Sequence, residues 1–162
     1  MSSGVRIKWV LRALAHRNYR LYFFGQGLSL IGTWMQQVAM VWLVYRLSGS
    51  PFLLGLVGFA GQIPAFFLAP LAGVLIDRWD RHRTLLVTQT LAMLQALALV
   101  VLMWTGLIAV WQILLLAALL GMVNALDMPT RQAFVIDMVA KPDLGNAIAL
   151  NSSLFNGARL VG

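Results

Sequence analysis

The stretch Gly73-Val74-Leu75-Ile76-Asp77-Arg78-Trp79-Asp80-Arg81-His82-Arg83 separates two long apolar runs. Five of its last seven residues are charged, and a sixth is a histidine. Charge is nearly absent on either side, because residues 47–76 and 84–126 contain no Asp, Glu, Lys or Arg. A short basic loop between two segments of membrane-spanning length predicts a helical hairpin with its loop at the membrane surface.

The composition indicates that the whole chain is a membrane protein. Hydrophobic residues make up 60% and charged residues 10%, whereas soluble domains carry about 25% charged residues. A spanning helix needs about 20 apolar residues, and the uncharged stretches are residues 21–45, 47–76, 84–126 and 144–158. The third stretch is long enough for two spans separated by a turn at Trp104-Thr105-Gly106. The sequence therefore predicts an all-α, polytopic protein with four complete spans and a partial fifth.

The expected organisation is a basic cytoplasmic segment, residues 1–20, followed by part of a six-helix bundle, residues 21–162, that the chain end truncates. The predicted helices are Leu21–Tyr45, a second beginning at Pro51 with Ser50 as its cap, Thr84–Trp104, Ile108–Asp127, and a fifth from about Asn146. The segment 130–145 is predicted to be cytoplasmic, with a short surface helix.

The positive charge is distributed asymmetrically. With a cytoplasmic N-terminus, the inside segments hold ten of the twelve Lys and Arg residues, namely Arg6, Lys8, Arg12, Arg17, Arg20, Arg78, Arg81, Arg83, Arg131 and Lys141, and the outside turns hold only Arg46. This bias is a strong positive-inside signal. It predicts that the net charge of +7 meets anionic lipid headgroups rather than nucleic acid.

The basic residues before the first span recur every fourth position, at Lys8, Arg12, His16 and Arg20. With Val10 and Leu14 on another face, this pattern suits a short helix on the membrane surface. A disordered basic tail is the equally open alternative.

Two predicted spans carry polar faces. In the first, the polar residues advance by three, four, three and one; they are Gln26, Ser29, Thr33, Gln36 and Gln37. In the fifth, they are Ser152, Asn156 and Arg159, and Asn124 lies on the fourth. Hydrogen bonding between helices would satisfy such faces. A polar substrate cavity is favoured, because two adjacent glutamines exceed what packing usually needs.

Arg159 is the sharpest single-residue hypothesis. It lies about 20 Å along the fifth helix from Asn146 at 1.5 Å per residue, deep in a hydrocarbon core of about 30 Å. Intramembrane charges are functional by default. The residue either contacts an anionic substrate group or forms a structural ion pair with a carboxylate beyond residue 162.

The second span and the basic loop each allow two interpretations. Gly55, Gly58 and Gly61 with Pro64 and Pro70 indicate either simple close packing or a helix that flexes during gating. In the basic loop, the residues that allow two interpretations are Gly73, Asp77, Arg78, Arg81 and Arg83. They either fix topology or latch the cytoplasmic ends of two helix bundles in one conformational state, and both roles are compatible.

The loop closely resembles the signature between helices 2 and 3 of the major facilitator superfamily, G-x-x-x-D-R/K-x-G-R/K-R/K. Three further stretches resemble bacterial exporters of the enterobactin-exporter type, also called transmembrane secretion effectors; they are Asn18-Tyr19-Arg20-Leu21, the run 124–134 (NALDMPTRQAF), and Asn146-Ala147-Ile148-Ala149-Leu150-Asn151-Ser152. The resemblance covers essentially the whole chain from residue 17.

The resemblance implies helices 1–5 of a twelve-helix transporter in the bacterial inner membrane, with the substrate near the midplane between two halves. The expected function is export of a small organic molecule by alternating access, with the remaining helices of the same transporter as partners. A scaffold or sensor that keeps the fold is the alternative. An enzyme is not expected, nor a cofactor or metal site, because the chain has no cysteine and no metal-ligand spacing within the spans.

The chain departs from the family pattern at three positions. Asp80 stands where the loop signature has glycine, and His82 where it has a second basic residue. The helix 4 arginine of proton-coupled drug antiporters is matched by Ala117, four residues before Gly121. Gly157-x-x-x-x-Gly162 resembles the beginning of the antiporters' helix 5 motif.

Overall fold

The computed structural model describes residues 12–161, except for the side chain of Asp77. Within that range the chain forms five α-helices and two 3₁₀ turns and contains no strand. The helices are α1 (Arg17–Ser48), α2 (Pro51–Arg78), α3 (Arg81–Trp104), α4 (Val110–Met138) and α5 (Leu144–Val161). The 3₁₀ turns are Arg12–Ala15, before α1, and Lys141–Asp143, before α5.

The helices α1 to α4 are long and apolar enough to cross a membrane. Many large apolar side chains point outward, as expected where lipid replaces water; among them are Phe24, Phe52, Phe66, Phe67, Leu97 and Val100. The predicted all-α, polytopic architecture is confirmed.

The two turns predicted on the outer side are present. Pro51 opens α2 at its first position, as expected, but the Ser50 side chain makes no capping hydrogen bond. Instead the Ser50 backbone N–H donates to the Ser48 hydroxyl at 3.2 Å. The second turn passes through Gly106 at φ 71°, a left-handed conformation that glycine adopts without steric cost.

The prediction that the fourth helix ends near Asp127 is wrong. Helix α4 continues through Pro129 to Met138, so the segment 130–145 contains no separate surface helix. Proline removes its own N–H donor and its ring crowds the carbonyl four residues earlier, which bends or ends many helices. The hydroxyl of the next residue, Thr130, donates to the Leu126 carbonyl in the same turn at 2.6 Å.

The chain groups into two compact units. The central unit comprises Gln37–Arg131, and the terminal unit comprises the chain before and after it. The core of the central unit is apolar and includes residues from four helices; they are Met40, Leu43, Val44, Val57, Leu99, Ile113, Leu116, Ala117 and Leu120. One buried polar group is satisfied beside it, because Gln95 Nε2 donates to the Leu116 carbonyl at 3.0 Å.

Two glycines permit the closest helix approach in the central unit. A Cβ atom added to Gly121 of α4 would lie 2.2 Å from the carbonyl oxygen of Gly61 in α2. The crossing therefore requires a residue without a side chain at position 121. Gly55 and Gly58 face open space within the described residues, so close packing is confirmed for Gly61 alone among the three α2 glycines.

In the terminal unit, α1 and α5 run parallel. The Tyr19 hydroxyl donates to the Ala147 carbonyl at 2.9 Å, Gly27 packs against the Leu154 side chain, and the Trp34 ring lies 5.7 Å from the Phe155 ring. The contacts advance along both helices in the same direction, so both helices point the same way. Consecutive helices that alternate in direction give the first and the fifth helix the same direction, in agreement with this orientation.

Candidate functional site

The charged loop is built around Asp80. Asp80 has φ −65° and ψ 114° and is the N-cap of α3, and its Oδ1 accepts a hydrogen bond from the Arg83 backbone N–H at 2.7 Å. No left-handed backbone is needed here, so the glycine of the family pattern is replaced without strain. Aspartate is among the best N-cap residues because it satisfies an orphan N–H and favours the positive end of the helix dipole.

The loop places its basic side chains at the ends of α2 and α3. Arg78 is the last residue of α2, and Arg81 and Arg83 lie in the first turn of α3. Arg78 and Arg83 are exposed and Arg81 is half-buried; Gly73 is also exposed. Asp77 belongs to the last turn of α2, and its side chain lies outside the described residues. The latch role of these five residues remains a prediction.

A buried carboxylate joins α3 to α4 close to this loop. Asp127 is only 2% exposed. Its Oδ1 accepts hydrogen bonds from Thr88 Oγ1 at 2.7 Å and from Gln89 Nε2 at 2.9 Å. Its Oδ2 pairs with Arg131 Nε, one turn further along α4. A buried charge needs such partners because isolated ions are costly to desolvate.

Sequence reasoning assigned no site to α3, so Thr88 and Gln89 are functional candidates that it missed. The available signal was positional. Thr88 and Gln89 lie about two turns after the N-terminal end of α3, and Asp127 was expected at the end of the next span. Adjacent antiparallel helices bring such residues together.

A groove of about 580 Å³ opens beside the buried network, between the loop and the facing sides of α3 and α4. Its wall is polar near the loop and mostly apolar further along; it consists of Arg78, Trp79, Asp80, Arg83, Thr84, Val87, Thr88, Leu91, Met122, Val123 and Leu126. Two exposed arginines at the mouth of an apolar groove suit an occupant with an apolar body and a negative end.

The N-terminal residues that the structure describes do not form a surface helix. Arg12–Ala15 is a 3₁₀ turn, and both Arg12 and His16 pair with Asp143, at 2.5 and 3.0 Å. The Ala13 backbone N–H donates to Asn146 Oδ1 at 2.9 Å. The predicted surface helix, and the alternative of a disordered tail, are therefore wrong for residues 12–16; Lys8 and Val10 lie outside the described residues.

The predicted polar face of α1 is partly covered. Gln26 is buried, and Ser29, Thr33, Gln36 and Gln37 are half-buried. The Thr33 hydroxyl donates to the Ser29 carbonyl at 2.9 Å, within its own helix. Gln37 and Asn124, which is half-buried, belong to the central unit, while the other members of the predicted cavity belong to the terminal unit.

The polar face of α5 is open. Ser152, Asn156 and Arg159 are all exposed. Asn156 Nδ2 donates to the Ser152 carbonyl at 2.8 Å, so its amide oxygen remains directed outward as an acceptor. Ser152, Asn156 and Arg159 thus present polar groups on the exposed surface of α5.

Arg159 has an aromatic neighbour that the sequence did not indicate. Its guanidinium carbon lies 5.4 Å from the centre of the Trp34 ring, within the range of a cation–π contact. Trp34 in turn meets Phe155 edge-on, at an interplanar angle of 71°. The arginine is thus held against α1 by a ring face, an interaction that leaves its charge uncompensated.

These features define a class of protein. The chain is a multi-pass α-helical membrane protein whose polar groups are concentrated in a capped basic loop, a buried carboxylate network and two helix faces. Among residues 12–161 no three His, Cys, Asp or Glu side chains are placed to hold a metal ion. The charged loop and the carboxylate network suit a protein that changes conformation, and the polar helix faces suit one that binds a solute.

Residues 10–162 match the family described as transmembrane secretion effector. The chain belongs to this family of major facilitator transporters, which are not enzymes. The resemblance found in the loop and in the three other stretches is therefore confirmed.

Curated relatives point to the same family. The chain is 30% identical over 143 residues to the staphyloferrin A transporter of Staphylococcus aureus, a match that covers 87% of this chain and 36% of that protein. It is 23% identical over 143 residues to macrolide efflux protein A of Streptococcus pyogenes, covering 86% and 35%. The chain spans about a third of the length of these relatives. No solved structure gives a significant match.

Proposed function

We propose that this chain forms helices 1–5 of a twelve-helix secondary active transporter that exports a small organic molecule across the bacterial inner membrane. Residues 1–20 are a basic segment in the cytoplasm, and residues 21–162 are part of the N-terminal six-helix bundle. The remaining helices belong to the same transporter, and the basic cytoplasmic residues face anionic lipid headgroups. The exporting direction is supported by the name of the macrolide efflux relative.

The observation that carries the proposal is the exposed Arg159, about 22 Å along α5 at 1.5 Å per residue. A charge at that depth in a membrane bundle is retained when it faces a water-filled pathway. The polar groups that accompany it in the terminal unit are Gln26, Ser29, Thr33, Gln36, Ser152 and Asn156. We assign these residues to the substrate pathway, and Gln37 and Asn124 remain candidates.

The charged loop supplies the conformational latch in this proposal. The Asp80 cap fixes the start of α3, and the Asp127 network ties α3 to α4, so the loop arginines sit on a rigid base. The adjoining groove, with Arg78 and Arg83 at its mouth, offers a docking place for helices of the second half. Docking in one state and release in the other would bias alternating access.

The test is efflux by the full-length transporter in a bacterial host that lacks comparable exporters. The names of the relatives suggest two probes, staphyloferrin A and a macrolide antibiotic. We expect cells with the unaltered protein to retain several-fold less of at least one probe. Asp77→Asn and Arg159→Gln are each expected to reduce efflux at least tenfold.

Arg46→Gln is the matched control, because Arg46 is an exposed arginine at the outer end of α1, where it lies over the Trp42 ring. It should leave efflux within about twofold. Efflux that is unchanged in both Asp77→Asn and Arg159→Gln would refute the residue assignments. A protein that reaches the membrane and moves neither probe would favour the scaffold or sensor alternative.

A further inference from the structure

The geometry points to a carboxylate-binding site at the Trp34–Arg159 pair, which selects substrates that carry a negatively charged carboxyl group. This inference rests on the proposed function and names the substrate class of the same pathway. Trp34 becomes a positioning residue that holds the guanidinium, and Arg159 becomes the residue that contacts substrate.

The first step in the argument concerns charge. All five acidic residues of the sequence are aspartates, at positions 77, 80, 127, 137 and 143, and none lies in α1 or α5. The nearest along the chain, Asp143, is 16 positions from Arg159, or about 24 Å at 1.5 Å per residue, and it already pairs with Arg12 and His16. The two helices that form this contact therefore contain no counter-charge for Arg159.

The second step concerns what the aromatic contact does. A cation–π contact holds a guanidinium at its flat face, and the N–H donors lie at the edge of that plane. Those donors match the two oxygens of a carboxylate in a fork. The Trp34 ring, which packs against the Phe155 ring at 5.7 Å, therefore orients the guanidinium plane. The N–H donors at the edge of that plane remain available to a ligand.

The third step concerns the surroundings. Asn156 lies one turn before Arg159 on the same face and is exposed, and its amide nitrogen is engaged with Ser152. Its carbonyl oxygen accepts hydrogen bonds, as does the Ser152 hydroxyl, which also donates. A ligand that combines a carboxylate with hydroxyl or amide groups fits this set, whereas a permanent cation does not.

The test is binding of isophthalate, a planar dicarboxylate, to the full-length transporter in nanodiscs, measured by calorimetry beside isophthalamide, its uncharged diamide. We expect isophthalate to bind at least tenfold more tightly than the diamide. Arg159→Gln should weaken isophthalate binding at least tenfold, and Arg159→Lys three- to tenfold because lysine keeps the charge but loses the fork. If Arg159→Gln does not accumulate in the membrane, an unchanged affinity in Arg159→Lys overturns the proposal.

The positioning role of Trp34 has its own comparison. Trp34→Leu should weaken isophthalate binding at least threefold, while Trp34→Phe, which keeps a ring face, should stay within about twofold. Trp42→Leu is the matched control, since Trp42 is another α1 tryptophan that lies beside an arginine, Arg46 at 5.2 Å. Its substitution should leave the affinity unchanged.

Three results would overturn the inference. They are no isophthalate binding by the unaltered protein, equal affinity for isophthalate and isophthalamide, and losses in Arg159→Gln and Trp34→Leu no larger than in Trp42→Leu. Failure here is distinguishable from failure of the proposed function, because the efflux test uses other probes and scores transport rather than binding.

Discussion

Thr88 Oγ1 donates a hydrogen bond to Asp127 Oδ1 at 2.7 Å, and this contact fastens α3 to α4 at the level of the charged loop. Both residues are buried. A hydrogen bond to a charged group contributes about 1.5–3 kcal/mol, more than a bond between neutral groups. The base of the loop is therefore among the more rigid parts of the central unit.

Replacing Asp127 should destabilise the full-length transporter substantially. Asp127→Ala removes the acceptor of Thr88 and Gln89 and the carboxylate partner of Arg131, whose side chain is only 13% exposed. Breaking a buried pair from one side costs about 3–5 kcal/mol. Thermal unfolding in detergent, followed by circular dichroism, measures the loss. Met128→Ala, at an exposed side chain of the same helix, is the control, and equal melting temperatures for the two variants would contradict the prediction.

Thr88→Val tests the contribution of the Thr88 hydroxyl, which is placed to donate to Asp127 Oδ1 at 2.7 Å and to the Leu85 carbonyl at 3.1 Å. The substitution preserves shape and removes the donor to Asp127, so we expect the free energy of unfolding to fall by about 1.5–3 kcal/mol. Thr90→Val is the matched control, because the exposed Thr90 hydroxyl bonds only the Leu86 carbonyl of its own helix. The same melting experiment applies. The prediction is wrong if Thr90→Val is as damaging as Thr88→Val.

The α2–α4 crossing predicts an asymmetry between two glycines that face each other. Gly121→Ala places a methyl group 2.2 Å from the Gly61 carbonyl oxygen, whereas Gly61→Ala places one 3.7 Å from the Ala117 oxygen, an ordinary contact. Gly121→Ala should lower the free energy of unfolding by about 1–3 kcal/mol, and Gly61→Ala should be nearly neutral. Melting temperatures of both variants decide the matter, and a larger loss in Gly61→Ala would disprove the assigned crossing.

The cap at Asp80 has a local signature in hydrogen exchange. Asp80→Ala removes the acceptor of the Arg83 backbone N–H, so exchange of that amide should accelerate about fivefold, which corresponds to about 1 kcal/mol for a lost cap. Asp80→Asn keeps an acceptor and should preserve protection. Peptide-level exchange over residues 80–86 measures both variants. Equal protection in the two would rule out the cap.

The pairing of Asp143 with Arg12 and His16, called here the Asp143 clamp, can be tested by thiol labelling because residues 1–162 contain no cysteine. Ala13→Cys introduces the one thiol of residues 1–162 at a fully buried position, in a background where any cysteine elsewhere in the protein is replaced. Adding Asp143→Ala removes the partner of Arg12 and His16, so a maleimide reagent should label the thiol several-fold faster. Ser153→Ala, at an exposed hydroxyl that bonds the Ala149 carbonyl of its own helix, is the control in the same background. Unchanged labelling after loss of Asp143 would show that the clamp does not hold the segment.

How much the sequence could predict differed between features. The spans, the turns that join α1 to α2 and α3 to α4, and the family followed from apolar length and from the loop spacing, since both are properties of contiguous residues. The passage of α4 through Pro129 did not follow, because an interior proline usually bends or ends a helix, whereas here the helix continues and the Thr130 hydroxyl engages the Leu126 carbonyl. Local propensity is a weak prior when tertiary packing supports a longer helix.

The contacts between distant residues were the least predictable part of the site. Thr88 and Asp127 are 39 positions apart and meet only because α3 and α4 pair in one register. Trp34 was grouped with no polar face of α1, so its contact with Arg159 needed the α1–α5 packing to be known. Asp80 looked like a departure from the family pattern, yet its side chain replaces the glycine turn with a helix cap.

The parallel joint between α1 and α5 also has a consequence for how the protein is made. Tyr19 and Ala147 are separated by 128 positions, so at about 5–20 residues per second the ribosome needs roughly 6–26 s to deliver the partner of Tyr19. During that interval α1 exists without its α5 neighbour. Synthesis and final packing of the first helix are therefore separate events, and any quality control that acts on the nascent chain meets α1 before its contact with α5 has formed.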